Sequence, residues 1–326
     1  MSKMVNSVLG PISADDLGIT LMHEHFLFGY PGYQGDVTCG PFDREAAMKT
    51  CLDTLEQLKG VGLKTVVDAT PNECGRDPEF LKEVSERSGI NIICSSGYYY
   101  EGEGAPAYYK QRAGLGDIGP EVYEMMKKEA TEGIGNTGIK AGVFKLASSK
   151  GQITDYETVF FKAAARVSKE DGIPIITHTQ EGTMGPEQAE LLIAEGADPK
   201  KIMIGHIGGN TDISYLTNVL SKGVYIAFDR IGLQGLVGCP MDYARVACII
   251  GLIGIGYADR IMLSHDYILH WLGRPLSIPE VALPLIKDWN WFHIFNDIVP
   301  QLKQAGISDE QINMMLVENP KRFFGA

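Results

Sequence analysis

Eight short runs, rich in Val and Ile and apolar at nearly every position, recur along the chain and begin at Gly18, Thr65, Asn91, Ala141, Pro174, Lys201, Val224 and Arg260. Near-continuous apolarity, rather than strict alternation, is the mark of strands buried on both faces, as in a parallel sheet. Helical segments lie between them. Residues 45–59 carry apolar side chains at roughly helical spacing and stop at Gly60. Segments 77–88, 156–170 and 188–195 are closed off by Gly89, Gly172 and Gly196, the residue type that suits a helix C-terminus. Strand and helix alternating eight times predict an α/β fold. With only a short lead-in, they favour a closed (β/α)₈ TIM barrel over an open doubly wound sheet. No linker, repeat or low-complexity segment interrupts the pattern, so residues 1–326 read as a single domain.

The last strand is followed by a different kind of segment. Residues 267–291 hold three prolines and all three tryptophans without a clear period. They read as a long loop, and loops of that length in a compact domain usually line a binding site.

Composition narrows the partners. A formal net charge of −12 and no basic run argue against nucleic acid. No apolar stretch approaches the length of a membrane span, and the first residues lack a signal-peptide core. The six cysteines are scattered with no C-x-x-C pair, which suits reduced thiols and a cytoplasmic location.

Polar and ionisable residues stand at the ends of these runs. His23 and His25 end the first, Asp68 the second, Tyr98 and Tyr99 the third, and Lys145 the fourth. His178 ends the fifth, His206 the sixth, Asp229 and Arg230 the seventh, and His265 and Asp266 the eighth. All eight C-terminal ends of a parallel barrel meet at one mouth, where barrel active sites lie. His23 and His25, one residue apart on a strand, point to the same side. Alone, an H-x-H pair reads equally as two hydrogen-bonded core histidines. With His178, His206 and Asp266 on three further strands, it reads as a metal site for Zn²⁺, or for Mn²⁺, Fe²⁺ or Co²⁺. Lys145 lies in an apolar run where an unpaired ammonium is costly. It is either paired with a carboxylate or is a neutral amine able to capture CO₂, a reading that spacing alone does not single out.

These motifs occur in an order that resembles the phosphotriesterase-like lactonases of the amidohydrolase superfamily. The matching segments are H-E-H, G-I-K-A-G-V-F-K-L-A, I-T-H-T, I-G-H-I-G-G, F-D-R-I-G-L, L-S-H-D-Y and the C-terminal V-E-N-P-K-R-F-F, spread over essentially the whole chain. The resemblance implies His23, His25 and Asp266 on a more buried metal, and His178 and His206 on a more exposed one. A carboxylated Lys145 and a hydroxide would bridge the two. It also implies that Asp266 handles the proton of that hydroxide and that Tyr99 (Tyr98 as second choice) and Arg230 approach substrate. Trp271, with Ile268 beside it, would shape an acyl pocket. Arg230 stands where true phosphotriesterases have His, which favours the lactonase side. Gly209 departs from the pattern, because many relatives carry a relay Asp there; Asn210 and Asp212 are the nearby substitutes.

The expected activity is therefore metal-dependent opening of acyl-homoserine or alkyl-substituted γ- or δ-lactones, by a protein that relatives of this type suggest is a homodimer. An organophosphate triesterase or carboxylesterase on the same site is the first alternative, and a small-ligand binding protein the non-enzymatic one. Asp68 and Asp229 read as residues that orient neighbours, and His265 and His293 as structural. His270 is either substrate-facing or simply exposed, and Tyr108 and Tyr109 either line the pocket or pack.

Overall fold

The computed structural model describes residues 3–326. A two-stranded hairpin, β1 (Met4–Ser7) and β2 (Gly10–Ser13), precedes the eight strands read from the sequence. These are β3 (Ile19–Phe28), β4 (Leu63–Asp68), β5 (Asn91–Gly97), β6 (Val143–Ser148), β7 (Ile175–Thr179), β8 (Ile202–Ile204), β9 (Tyr225–Phe228) and β10 (Ile261–Leu263). They are parallel and hydrogen-bonded in chain order. Helices α1 (Arg44–Lys59), α2 (Pro78–Ser88), α3 (Ala107–Ala113), α4 (Gly119–Thr131), α5 (Asp155–Asp171), α6 (Gly185–Ala194), α7 (Ile213–Leu220) and α8 (Asp242–Gly254) fill the connections. The ring closes between the first and last of the eight: the Asp266 N–H donates to the His23 carbonyl at 3.0 Å, and the His23 N–H to Ser264 Oγ at 3.0 Å. This is the expected TIM barrel.

Two packed layers explain why the strands carry almost no polar residues until their ends. Phe144, Leu146, Ile175, Ile202, Ile204, Ile226, Phe228, Ile261 and Leu263 face the helices. Met22, Val67, Ile93, Val143, Ile176, Met203, Tyr225, Ala227 and Met262 fill the barrel interior. Strand side chains alternate, so a residue two positions beyond an interior one also points inward. Lys145 comes two residues after Val143, His178 two after Ile176, and Asp229 two after Ala227, and all three stand above the apolar plug. On β3 the alternation breaks: the register against β4 shifts between Leu21 and Glu24. That irregularity lets Met22 fill the interior while His23, the next residue, lines the mouth.

Several strand limits differ from the sequence reading. β3 continues three residues beyond His25, and β6 three beyond Lys145. The segment after Asp266 is not all loop. Ile268–Trp271 forms a ninth strand, β11, parallel to the extension of β3, with Ile268 opposite His25 and Trp271 opposite Phe28. A four-residue strand that pairs with residues some 240 positions away has no local signature. Among the described residues no helix is long and apolar enough to cross a membrane, and all six cysteines are free.

The end of β5 is the tightest point around the mouth. Gly97 has φ of +140°, and a Cβ there would lie 1.9 Å from the Lys145 carbonyl oxygen. Backbone clash and a strained dihedral add, so Gly97→Ala is expected to destabilise the protein by about 3 kcal/mol. Urea unfolding measures it; a loss below about 1 kcal/mol contradicts this packing.

Candidate active site

A cavity of about 660 Å³ opens at the C-terminal mouth of the barrel. Of the residues singled out in the sequence, His23, His25, Lys145, His178, His206, Asp266, Tyr99, Arg230, Ile268 and Trp271 all line it. Tyr98 does not. Its ring packs against Tyr109 and Phe160 at 5.3 and 5.1 Å, on the helix side of the sheet. The turn at Gly97 sends the two consecutive tyrosines to opposite sides, so the second-choice substrate residue is a packing residue. Tyr109 belongs to that cluster and Tyr108 is exposed. His270 rests against Phe42 away from the cavity lining. His265 is held by Glu24 and accepts from the Ile294 N–H, and His293 lies between Asp242 and Asp297.

The hydrogen bonds fix which nitrogen of each imidazole carries its proton. Asp229, with no exposed surface on its side chain, accepts from His23 Nδ1 at 2.7 Å and from His206 Nδ1 at 3.0 Å. The Thr70 hydroxyl donates to the Leu27 carbonyl at 3.1 Å and therefore accepts from His25 Nδ1 at 2.8 Å. Three Nε2 lone pairs are left, and all converge on Asp266: His25 at 2.9 Å, His23 at 3.3 Å and His206 at 3.6 Å. His178 Nε2 donates to Gln180 Oε1 at 2.6 Å, which leaves His178 Nδ1 buried without a hydrogen-bond partner. Lys145 Nζ stands 2.8 Å from His23 Nε2.

Burial and neighbouring charge set the protonation states. Burial, helped by the charges of Arg230 and others, holds His178 and His206 well below the usual imidazole range. Burial together with Lys145 lowers His23. Burial opposes ionisation of Asp266, but His206, Arg230 and His23 outweigh it and hold that carboxyl well below its ordinary value. Burial brings the Lys145 ammonium down to about 8, with Asp266 and Asp229 opposing. Neutral imidazoles, an ionised carboxylate and a readily deprotonated amine are the forms that ligate metal. Three lone pairs and a carboxylate so close together repel unless positive charge lies among them, and the unpartnered Nδ1 of His178 belongs to a residue lining the same cavity, so the donor set fits metal ions. His23, His206 and Asp266 alone bring three ligand atoms within 4.8 Å of one another.

Two of these residues hold uncommon backbone conformations. His206 and Asp266 have φ of +53° and +54°. Each lies just past the end of its short strand, and the left-handed turn aims the side chain into the mouth at a cost of about 1–3 kcal/mol. Glu24, buried between the two histidines of H-E-H, is not part of the cavity lining. It accepts from Ser264 Oγ, the His265 N–H and the Tyr267 N–H, and so fastens the turn that carries Asp266. Its only signal in the sequence is that it must face the other way from its neighbours. Gly209 also has a reason: a Cβ there would lie 2.9 Å from the Gly182 nitrogen. Asn210 and Asp212 are occupied in capping the start of α7 and do not line the cavity.

Leu233, Leu236, Val237, Leu276 and Ile278 also line the cavity and supply an apolar wall. Arg230 lines it too, its Nε donating to Asp266 Oδ2 at 2.8 Å.

Comparison with known proteins agrees with this arrangement. The phosphotriesterase family profile matches residues 3–324. The organophosphorus hydrolase of Deinococcus radiodurans is 60% identical, with a TM-score of 0.97 over 99% of this chain and 98% of that one. A structure described as organophosphate hydrolysis engineered from a weak promiscuous lactonase template is 57% identical, with a TM-score of 0.97 over 99% of this chain and 100% of that one. The aryldialkylphosphatase of Saccharolobus solfataricus is 34% identical over 96% of both chains. The chain therefore belongs to the phosphotriesterase family of metal-dependent hydrolases.

Proposed function

We propose that this protein opens lactones bearing an alkyl or acyl substituent, using two divalent cations, with zinc the first choice. The observation that carries the reading is the convergence of three imidazole Nε2 atoms on Asp266 in a cavity with much apolar lining. His23, His25 and Asp266 would hold one cation, and His178 and His206 the other. Lys145, as its CO₂ adduct, would offer an oxygen to each. Bound there, the cations would supply Lewis acidity and make water a stronger nucleophile at neutral pH.

The chain's own residues do the rest. The Tyr99 hydroxyl, kept protonated by burial, can donate to the lactone carbonyl oxygen as charge develops on it. Arg230 reaches from its ion pair with Asp266 toward the ester, and Asp266 accepts the proton of the attacking water. The carbonyl carbon–ring oxygen bond then breaks, and the ring oxygen takes up a proton to leave a hydroxy acid. Trp271, Ile268 and the apolar wall receive the tail.

The test is a comparison of kcat/KM for alkyl δ-lactones and for an aryl phosphotriester. The lactone is expected to be the better substrate. Each added methylene that reaches the wall should improve kcat/KM by up to about fourfold, from about 0.8 kcal/mol per buried CH₂. A lactone-to-phosphotriester ratio below one makes the triesterase reading, which the Deinococcus relative favours, the correct one. No hydrolysis of either by metal-loaded protein leaves a binding protein.

Asp229→Asn tests the hydrogen bonds that set the tautomers. An amide accepts on one side only, so His23 and His206 cannot both be held. Cation affinity should fall about 10–100-fold, as read by competition with a chromogenic chelator, and unchanged affinity contradicts the assignment. We further read residues 1–326 as one domain of a cytoplasmic homodimer, which light scattering on the purified protein checks.

A further inference from the structure

Beneath the segment that carries Arg230 lies a buried ionic cluster that the chemistry above does not use. Arg245, on α8, is only 1% exposed. Its two terminal nitrogens donate to the Arg230 carbonyl at 2.5 Å, to the Leu233 carbonyl at 2.8 Å and to Asp242 Oδ1 at 2.5 Å. Asp242 in turn accepts from the Gly232 N–H at 3.1 Å and pairs with His293 Nε2 at 3.1 Å. Gly232 itself has φ of +92°, and a Cβ there would lie 2.4 Å from the Asp288 carbonyl oxygen. The turn after β9 is thus gripped from below by α8 and pressed from the side by residue 288, next to the cavity residue Trp289.

Burying a guanidinium–carboxylate pair gains little stability over an apolar pair of the same volume. What the guanidinium offers instead is a planar fork that reaches two carbonyls three residues apart, a geometry an ammonium cannot copy. Both carbonyls belong to residues that line the cavity, Arg230 and Leu233.

We propose that Arg245 is a positioning residue for Arg230, fixing through the Arg230 carbonyl where that guanidinium stands relative to Asp266 and the substrate. The inference rests on the reading that Arg230 meets the substrate.

A double-mutant cycle on the metal-loaded enzyme tests it. Arg245→Lys is expected to lower kcat/KM for an alkyl δ-lactone about tenfold while leaving two cations per chain. In an Arg230→Ala background the same change should alter kcat/KM by less than twofold, because the side chain it positions is gone. A merely structural role would carry its tenfold penalty into that background, and such additivity overturns the proposal. So does a single variant within twofold of the parent. Should Arg245→Lys fail to fold, the isosteric Asp242→Asn takes its place with the same non-additivity expected.

If the parent opens no lactone, the proposed function fails by itself, and the cycle is run on whichever ester or phosphotriester is turned over. With no turnover at all, hydrogen exchange in the peptide spanning residues 229–241 decides. About tenfold faster exchange in Arg245→Lys is expected, and exchange at the parental rate overturns the proposal.

Discussion

Lys145→Ala is expected to give a folded protein that retains at most one cation per chain and hydrolyses its substrate at least about 10³-fold more slowly. Lys145 is 1% exposed, inside an apolar strand, with no carboxylate as its nearest partner; its Nζ instead faces His23 Nε2. An amine so placed adds little to stability as an ammonium, since burial disfavours its charge. Removing it should therefore spare the fold while taking away the protein group proposed to bridge the two cations. The loss expected for the missing bridge combines weaker binding with a weaker nucleophile, and several kcal/mol of transition-state stabilisation is at stake. Elemental analysis and steady-state kinetics on the same preparation read both effects. Partial recovery on adding acetate, whose carboxylate can occupy the vacated space, would support the carbamate in particular. Full cation content with turnover within tenfold of the parent would remove Lys145 from the site.

Asp266→Asn is the second large effect, expected to reduce kcat about 10³–10⁴-fold. Asparagine tolerates the left-handed backbone that Asp266 adopts, so folding should survive. The carboxamide, however, carries no charge to help bind a cation among the three imidazole lone pairs or to balance Arg230, and it cannot accept a proton, a role worth about 10²–10⁴-fold. The sign of the pH effect comes from the carboxyl's lowered pKa. Asp266 is ionised throughout the neutral range, so it sets no rise in the parent's rate between pH 6 and 9. The variant should be slow at every pH in that window. A variant within tenfold of the parent at high pH would mean that solvent, and not Asp266, takes the proton.

The barrel and the side chains gathered at its mouth are legible in the order of residues alone. Strands buried on both faces must be apolar nearly throughout, so the few ionisable residues stand out, and parallel topology sends their ends to one mouth. His23 and His25, Lys145 after Val143 and His178 after Ile176 are all consequences of a period of two. Whatever depends on neighbours distant along the chain was settled only by folding. Tyr99 rather than Tyr98 faces the cavity because Gly97 turns against the Lys145 carbonyl. Ile268 and Trp271 sit on a strand because β3 runs on past His25 to meet them. The tautomers of four histidines, the Glu24 latch and the Arg245 fork are hydrogen bonds of fixed direction. No local pattern records them, since each exists only once the partner residue has been brought into place.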